Sequence, residues 1–167
     1  MNKFKELSDS VKDLYQEMDT ESQSYSLNNK VSCPKKCDHC CKNSEVSSTP
    51  LEMLPLALEL IKNNQTDLDW TKTTCLFNNQ GCQVYNYRPT VCRLFGWVKV
   101  SAKEGSRLSI CPKVSSNQVL EPNAPDIEQW SRKIKELDPN LGSDLHPINQ
   151  SLKIMIEKIL LYQKLTA

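Results

Sequence analysis

Apolar residues along this chain fall into periodic stretches separated by polar ones, and each stretch predicts an element. In residues 3–25, Phe4, Leu7, Val11, Leu14, Tyr15 and Met18 recur mostly at steps of three and four, the spacing of an amphipathic helix. Residues 26–48 are polar and predict a loop. Thr49-Pro50-Leu51-Glu52 then carries a helix start: Thr49 as cap, Pro50 at the first helical position and Glu52 three residues on as the partner of a capping box. A helix over about 50–63 follows, with Pro55 early in it as a potential kink and Asn63-Asn64 at its end.

Thr74 to Tyr87 reads as a short hairpin around Asn78-Asn79-Gln80-Gly81, which has turn chemistry. Arg88-Pro89-Thr90 opens a short helix running to Phe95, with Gly96 able to end it. Residues 99–125 read as irregular. Ile127, Trp130, Ile134 and Leu137 predict a helix over 126–137, stopped by Asp138-Pro139. His146-Pro147 opens a last helix carrying Ile148, Leu152, Met155, Ile156, Ile159 and Leu160. The pattern predicts a mainly α, small single domain over residues 1–167. It has about five helices and a short β-hairpin, with residues 33–112 as its core between the helix 3–25 and the helices within 126–165.

What the periodic stretches enclose is a set of eight cysteines in 167 residues: Cys33, Cys37, Cys40, Cys41, Cys75, Cys82, Cys92 and Cys111. The first four fall within nine residues, far denser than an ordinary core uses. Thiols so close together pair as disulfides, bind metal or do redox chemistry. The N-terminus is charged and lacks an apolar run, and the apolar C-terminal stretch is interrupted by Lys153, Glu157, Lys158 and Lys164. Both features predict a cytoplasmic chain without a membrane association, where thiols stay reduced and the disulfide reading loses ground. Net charge is +1, from 21 basic and 20 acidic residues, which gives no electrostatic footprint for nucleic acid. Nothing in the chain specifies a protein partner.

Thiolates are soft ligands that select zinc and iron–sulfur centres, and either takes four protein ligands. All eight cysteines form the candidate ligand pool. Adjacent Cys40 and Cys41 are expected to face different ions, or to divide between ligation and packing, so one shared site and two sites both satisfy the spacing. His39, inside a two-residue spacer, is expected to point outward. Lys35, Lys36, Lys42 and Lys113 read as a solvated face, and Arg88 and Arg93 as candidates for hydrogen bonds to sulfur. Of Tyr85 and Tyr87, one is expected buried and one exposed. Trp97 and Trp130 read as core and Trp70 as partly exposed. Four glycines leave no dinucleotide fingerprint, and two histidines offer no triad.

The order Cys33-x3-Cys37-x2-Cys40-Cys41, Gly81-Cys82-x-Val84-Tyr85, Arg88-Pro89-x-x-Cys92-Arg93-x-Phe95 and Cys111-Pro112 resembles the CxxCxxCC, or YkgJ-type, cysteine-cluster family. That resemblance covers about half the chain. It implies a zinc- or iron-chelating domain with these eight cysteines as metal ligands. One departure is Asp38, where many members carry glycine, which bears on the local turn. A related cysteine block in the larger bacterial flagellin lysine methylase allows an iron–sulfur enzyme of redox chemistry or protein modification as the alternative. A metal-stabilised interaction module is the third reading.

Overall fold

The computed structural model describes residues 2–34, 37–103, 105–114 and 123–166. Five α-helices carry the architecture: α1 (Asn2–Asn29), α2 (Leu54–Lys62), α3 (Thr90–Leu94), α4 (Ile127–Leu137) and α5 (Ile148–Thr166). The buried side of α1 repeats at steps of four and three: Phe4, Ser8, Val11, Tyr15, Met18, Ser22, Tyr25 and Asn29. Its last turn was not legible in the sequence because the buried stripe turns polar after Met18. The helix stops in a Schellman arrangement. Lys30 takes a left-handed conformation (φ 52°), its N–H reaches the Leu27 carbonyl, and the Val31 N–H reaches that of Ser26 at 3.1 Å.

The capping box forms. Glu52 Oε2 accepts from the Thr49 N–H at 2.7 Å, and the Glu52 N–H donates to the Thr49 hydroxyl at 3.3 Å. The first turn it caps is a 3-10 turn, Leu51–Met53, and the α-helix proper begins at Leu54 with Pro55 in its opening turn. Asn64 (φ 54°) ends α2 as Lys30 ends α1, with the Gln65 N–H on the Leu60 carbonyl at 2.8 Å. Asp126 caps α4 by accepting from the N–H groups of Glu128 and Gln129.

Helix α1 packs against α2, α3 and α4, and α5 against α2. Together they enclose a core in which Val11, Met18, Leu51, Leu54, Leu152, Met155 and Ile159 are all but inaccessible. A second, smaller core gathers Tyr25, Val31, Trp97, Cys111, Val114 and Ala124 where the end of α1 meets the chain around residues 97–114. Strands β1 (Ser47–Ser48) and β4 (His146–Pro147) pair antiparallel and bring the start of α5 beside residues 46–48.

Two sequence expectations are corrected. The β-hairpin is β2 (Trp97–Ala102) with β3 (Gly105–Ile110), in register from Trp97↔Ile110 to Ala102↔Gly105, starting two residues before the segment read as irregular and lying mostly inside it. Strand β3 is exposed nearly throughout, so Ser106, Arg107 and Ser109 dilute the apolar alternation on which a strand is recognised. Residues 74–87, read as the hairpin, form a tight loop with a single bridge, Asn78↔Cys82, and a 3-10 turn over Tyr85–Tyr87. Its turn residues were recognised correctly: Gln80 and Gly81 both adopt positive φ, 52° and 123°. The rest of the fold class holds, a mainly α domain of five helices with short two-stranded sheets. Among the described residues, no helix is long and apolar enough to cross a membrane.

Candidate metal centre

All eight cysteines line one cavity of about 640 Å³, although they come from four separate segments of the chain. The 3-10 turn Cys40–Lys42 presents Cys40 and Cys41. The Cys75 N–H donates to the Cys41 carbonyl at 3.2 Å, which ties the loop 74–87 directly to that turn. The single bridge at Asn78 then returns Cys82 to the same place. Short helix α3 supplies Cys92. Cys33 and Cys37 sit on the loop after α1, and Cys111 follows β3.

The thiols fall into two neighbourhoods. Cys41, buried, is within hydrogen-bond reach of Cys40, Cys75 and Cys82. The adjacent pair Cys40–Cys41 thus lies in one hydrogen-bonded group of thiols. With its single S–H the Cys41 thiol donates to one of these neighbours at a time, and each such bond favours the ionised form of the thiol that accepts it. Cys40 is lowered to about 7 and Cys82 to about 6, Cys75 is lowered as well, and Cys41 itself is raised. The positive charge of Arg88 lowers Cys40 and Cys82 further. Burial pushes Cys92 up, reinforced by the charges of Cys40, Cys75 and Cys82. Burial raises the Cys33 thiol, and the charges of Cys37, Cys111 and Cys40 raise it further, so Cys33 feels both groups.

Gly96 lies beside Cys33 and Cys111. A Cβ placed on it would lie 3.2 Å from Cys33 Sγ, closer than most side chains tolerate, and its carbonyl accepts the Cys111 N–H at 3.0 Å. Glycine leaves the space that the Cys33 sulfur occupies while its backbone holds Cys111.

The arginines act differently from the expectation. Arg93 is buried and donates to the carbonyls of Arg88 (2.7 Å) and Asn86 (2.5 Å). It also pairs with Asp19 of α1 and lies over the Tyr15 ring at 4.1 Å. Arg88 donates to the carbonyls of Tyr85 and Cys92, both at 3.2 Å, and stacks over the Tyr85 ring at 3.5 Å. Both arginines donate to backbone carbonyls that fix the loop around Cys92, and Arg93 also to the Asp19 carboxylate. Sulfur receives the field of Arg88 instead of its hydrogen bonds.

Two residues help place the cysteines in ways the sequence did not announce: a second role for Glu52, and Asn149. Glu52, 6% exposed, accepts the Thr90 N–H at 2.9 Å through Oε1 and so caps α3 as well as α2. Asn149 accepts from the Leu76 N–H at 3.3 Å and donates to the carbonyls of Lys72 and Thr74, clamping the strip that carries Cys75. The Glu52 capping signal was readable, but its second partner is 38 residues away. Asn149 left no local signal.

His39 is half-buried and lines the cavity, where an outward orientation was expected. Asp38 pairs with Lys42 at 2.9 Å and is absent from the positive-φ residues, so the turn does not require the glycine common at that position. Lys113 is exposed, and Lys35 and Lys36 lie outside the described residues. Trp97 and Trp130 are core and Trp70 is partly exposed, as the sequence suggested; Tyr85 is 60% exposed, but Tyr87 is half-buried where a buried partner was expected.

Residues 32–114 match a protein-family model, CxxCxxCC, described as "Putative zinc- or iron-chelating domain". The chain belongs to that family. No curated protein and no solved structure matches the chain. The family description supports metal binding in general, and the donor set in this cavity fits it. The cavity holds thiols in the number that one or two four-ligand centres need, several already disposed toward the thiolate form that binds metal, and a glycine cradle beside one sulfur. Among the described residues, no three histidine, cysteine or acidic side chains are already arranged to hold an ion. Loading would replace the hydrogen bonds between thiols with bonds to metal.

Proposed function

We propose that this chain is a cytoplasmic metal-binding protein whose clustered cysteine thiolates hold zinc or an iron–sulfur centre. The ligands are drawn from Cys33, Cys37, Cys40, Cys41, Cys75, Cys82, Cys92 and Cys111. On this reading, residues 33–112 form the metal-binding core of a single domain spanning 1–167. The observation that carries it is the convergence of all eight thiols on one cavity, with Cys41 at the centre of a four-sulfur group. When bound, zinc would cross-link the segments, while an iron–sulfur centre would add electron transfer. The chain's own residues do the rest. Glu52 and Arg93 fix α3 and hence Cys92, Asn149 fixes the strip bearing Cys75, and Arg88 offsets the accumulated thiolate charge.

Metal content of the full chain purified without oxygen, read by elemental analysis and an absorption spectrum, tests this. Cys41→Ser should lose metal, because it removes the thiol that touches three others. Full metal retention in that variant would refute the assignment. The alternative, an iron–sulfur enzyme, gains support from the cavity's extent. It reaches past the cysteines to Asp19, Ser22 and Gln23 of α1 and leaves room beside a centre for a substrate group. Iron with acid-labile sulfide would favour this alternative, and zinc alone would count against it.

A further inference from the structure

The eight cysteines are all free thiols, and they are not equally placed to react with one another. Cys41 lies in the 3-10 turn Cys40–Lys42, only 8% exposed, and its thiol is within hydrogen-bond reach of those of Cys40, Cys75 and Cys82. Cys75 is held to Cys41 through the backbone as well: its N–H donates to the Cys41 carbonyl at 3.2 Å. A bond of that kind limits the separation of the two Cα atoms to about 7 Å, the outer reach of a disulfide. Asn149 secures the same strip from the other side, accepting from the Leu76 N–H and donating to the carbonyls of Lys72 and Thr74. Backbone contacts thus fix both partners before any bond between their sulfurs forms.

The other two contacts of Cys41 are poorer partners for a covalent bond. Cys40 directly precedes it, and consecutive Cα atoms lie about 3.8 Å apart across a trans peptide, short of the about 4.4 Å that a disulfide needs. Cys82 is bridged to Asn78 within its own loop, and among the described residues no backbone hydrogen bond joins it to Cys41. Access favours the same pair. The cavity reaches the surface at exposed Cys33 and at Tyr85. Cys75, half-buried on its wall, can meet a small solute there, and buried Cys41 supplies the second sulfur.

We propose that Cys41 and Cys75 are a peroxide-sensitive pair: oxidation of the metal-free chain joins them in a disulfide, and that bond withholds the four-sulfur group from metal. The Cys75 sulfur attacks one oxygen of hydrogen peroxide, the O–O bond breaks and water leaves. The Cys41 sulfur then displaces the hydroxyl from the oxidised Cys75 sulfur, which forms the S–S bond and releases a second water. In all, the two thiols lose two electrons and two protons, and the peroxide is reduced to two waters. A dithiol reductant reverses the step by exchange. Transient bonds of this kind are the ones a reducing compartment permits, serving sensing or catalysis instead of structure. While the bond lasts, two of the group's sulfurs are lost as thiolate ligands, and a four-ligand centre there is incomplete.

The gating of metal rests on the metal-binding reading, whereas the disulfide does not, and the experiment reads them separately. The full chain is reduced, stripped of metal with a chelator and exposed to a stoichiometric amount of hydrogen peroxide. Remaining thiols are alkylated in denaturant, and the unreduced digest is mapped by mass spectrometry. The expected result is Cys41–Cys75 as the main cross-link, with zinc affinity lowered about tenfold or more and restored by dithiothreitol. In Cys75→Ser, with its fold checked by circular dichroism, Cys41 should stay open to alkylation after peroxide. A different main pair, over-oxidation without a cross-link, or unchanged zinc affinity in the cross-linked chain would each overturn the inference and leave metal binding standing. A reduced chain that takes up neither zinc nor iron, before any peroxide is added, would overturn the metal-binding reading and the gating together.

Discussion

Glu52→Ala should be among the most damaging substitutions away from the cysteines, because a single buried carboxylate caps two helices. Oε2 accepts the Thr49 N–H at 2.7 Å and the Thr49 hydroxyl at 3.0 Å, while Oε1 accepts the Thr90 N–H at 2.9 Å. The Tyr15 hydroxyl donates to the Glu52 carbonyl at 2.6 Å and brings α1 into the same junction. Truncation to alanine leaves the two backbone N–H groups buried without an acceptor, at about 1–3 kcal/mol each. The expected loss is about 3–5 kcal/mol, a large part of the 5–15 kcal/mol typical of a domain. Glu52→Gln preserves shape and one acceptor oxygen and should lose roughly half as much. Urea unfolding of the reduced, metal-free chain is the assay, since bound metal would add its own stabilisation. The midpoint should fall with the slope unchanged. Amide exchange at Thr90 should accelerate in parallel. As a control, Asp9→Ala breaks an exposed pair with Lys12 and should change stability by no more than about 0.5 kcal/mol. A loss below about 1 kcal/mol in Glu52→Ala would refute the two-helix capping argument.

Further predictions concern the thiols and the helix ends. In the metal-free chain, alkylation followed by mass spectrometry should detect Cys82 and Cys40 reacting as pH rises through about 6 and 7, while Cys41 and Cys92 stay protonated and slow. The sign follows from the depressed values: the reactive thiolate is present above them and lost as pH falls through them. Arg88→Gln should move both midpoints upward, because its charge lowers both thiols, and uniform labelling of all eight cysteines near pH 9 would refute the shared-donor picture. Asp126→Ala removes the acceptor of the Glu128 and Gln129 N–H groups at the start of α4 and should cost about 1 kcal/mol in the same urea assay.

The sequence by itself determined the helices and their ends wherever the cause is local. Periodicity marked the buried faces of α1, α4 and α5, Thr49 and Glu52 announced a cap, and Asn63-Asn64 and Asp138-Pro139 announced stops. It also identified the eight thiols and the family to which their spacing belongs. Tertiary structure alone decided what depends on distant partners. The hairpin over 97–110 stayed hidden because its outer strand buries too little to impose a pattern on its residues. The last turns of α1 stayed hidden because their buried face is Ser22, Tyr25 and Asn29, two of the three polar, so the apolar stripe that marks a helix face fades after Met18. Spacing alone allowed Cys40 and Cys41 to part. In the fold the Cys75 N–H bonds the Cys41 carbonyl and draws Cys75 and Cys82 onto both. Glu52 looked like the cap of one helix and is the cap of two, because hydrogen-bond partners are chosen by proximity in space, and proximity in space is created only when the helices pack.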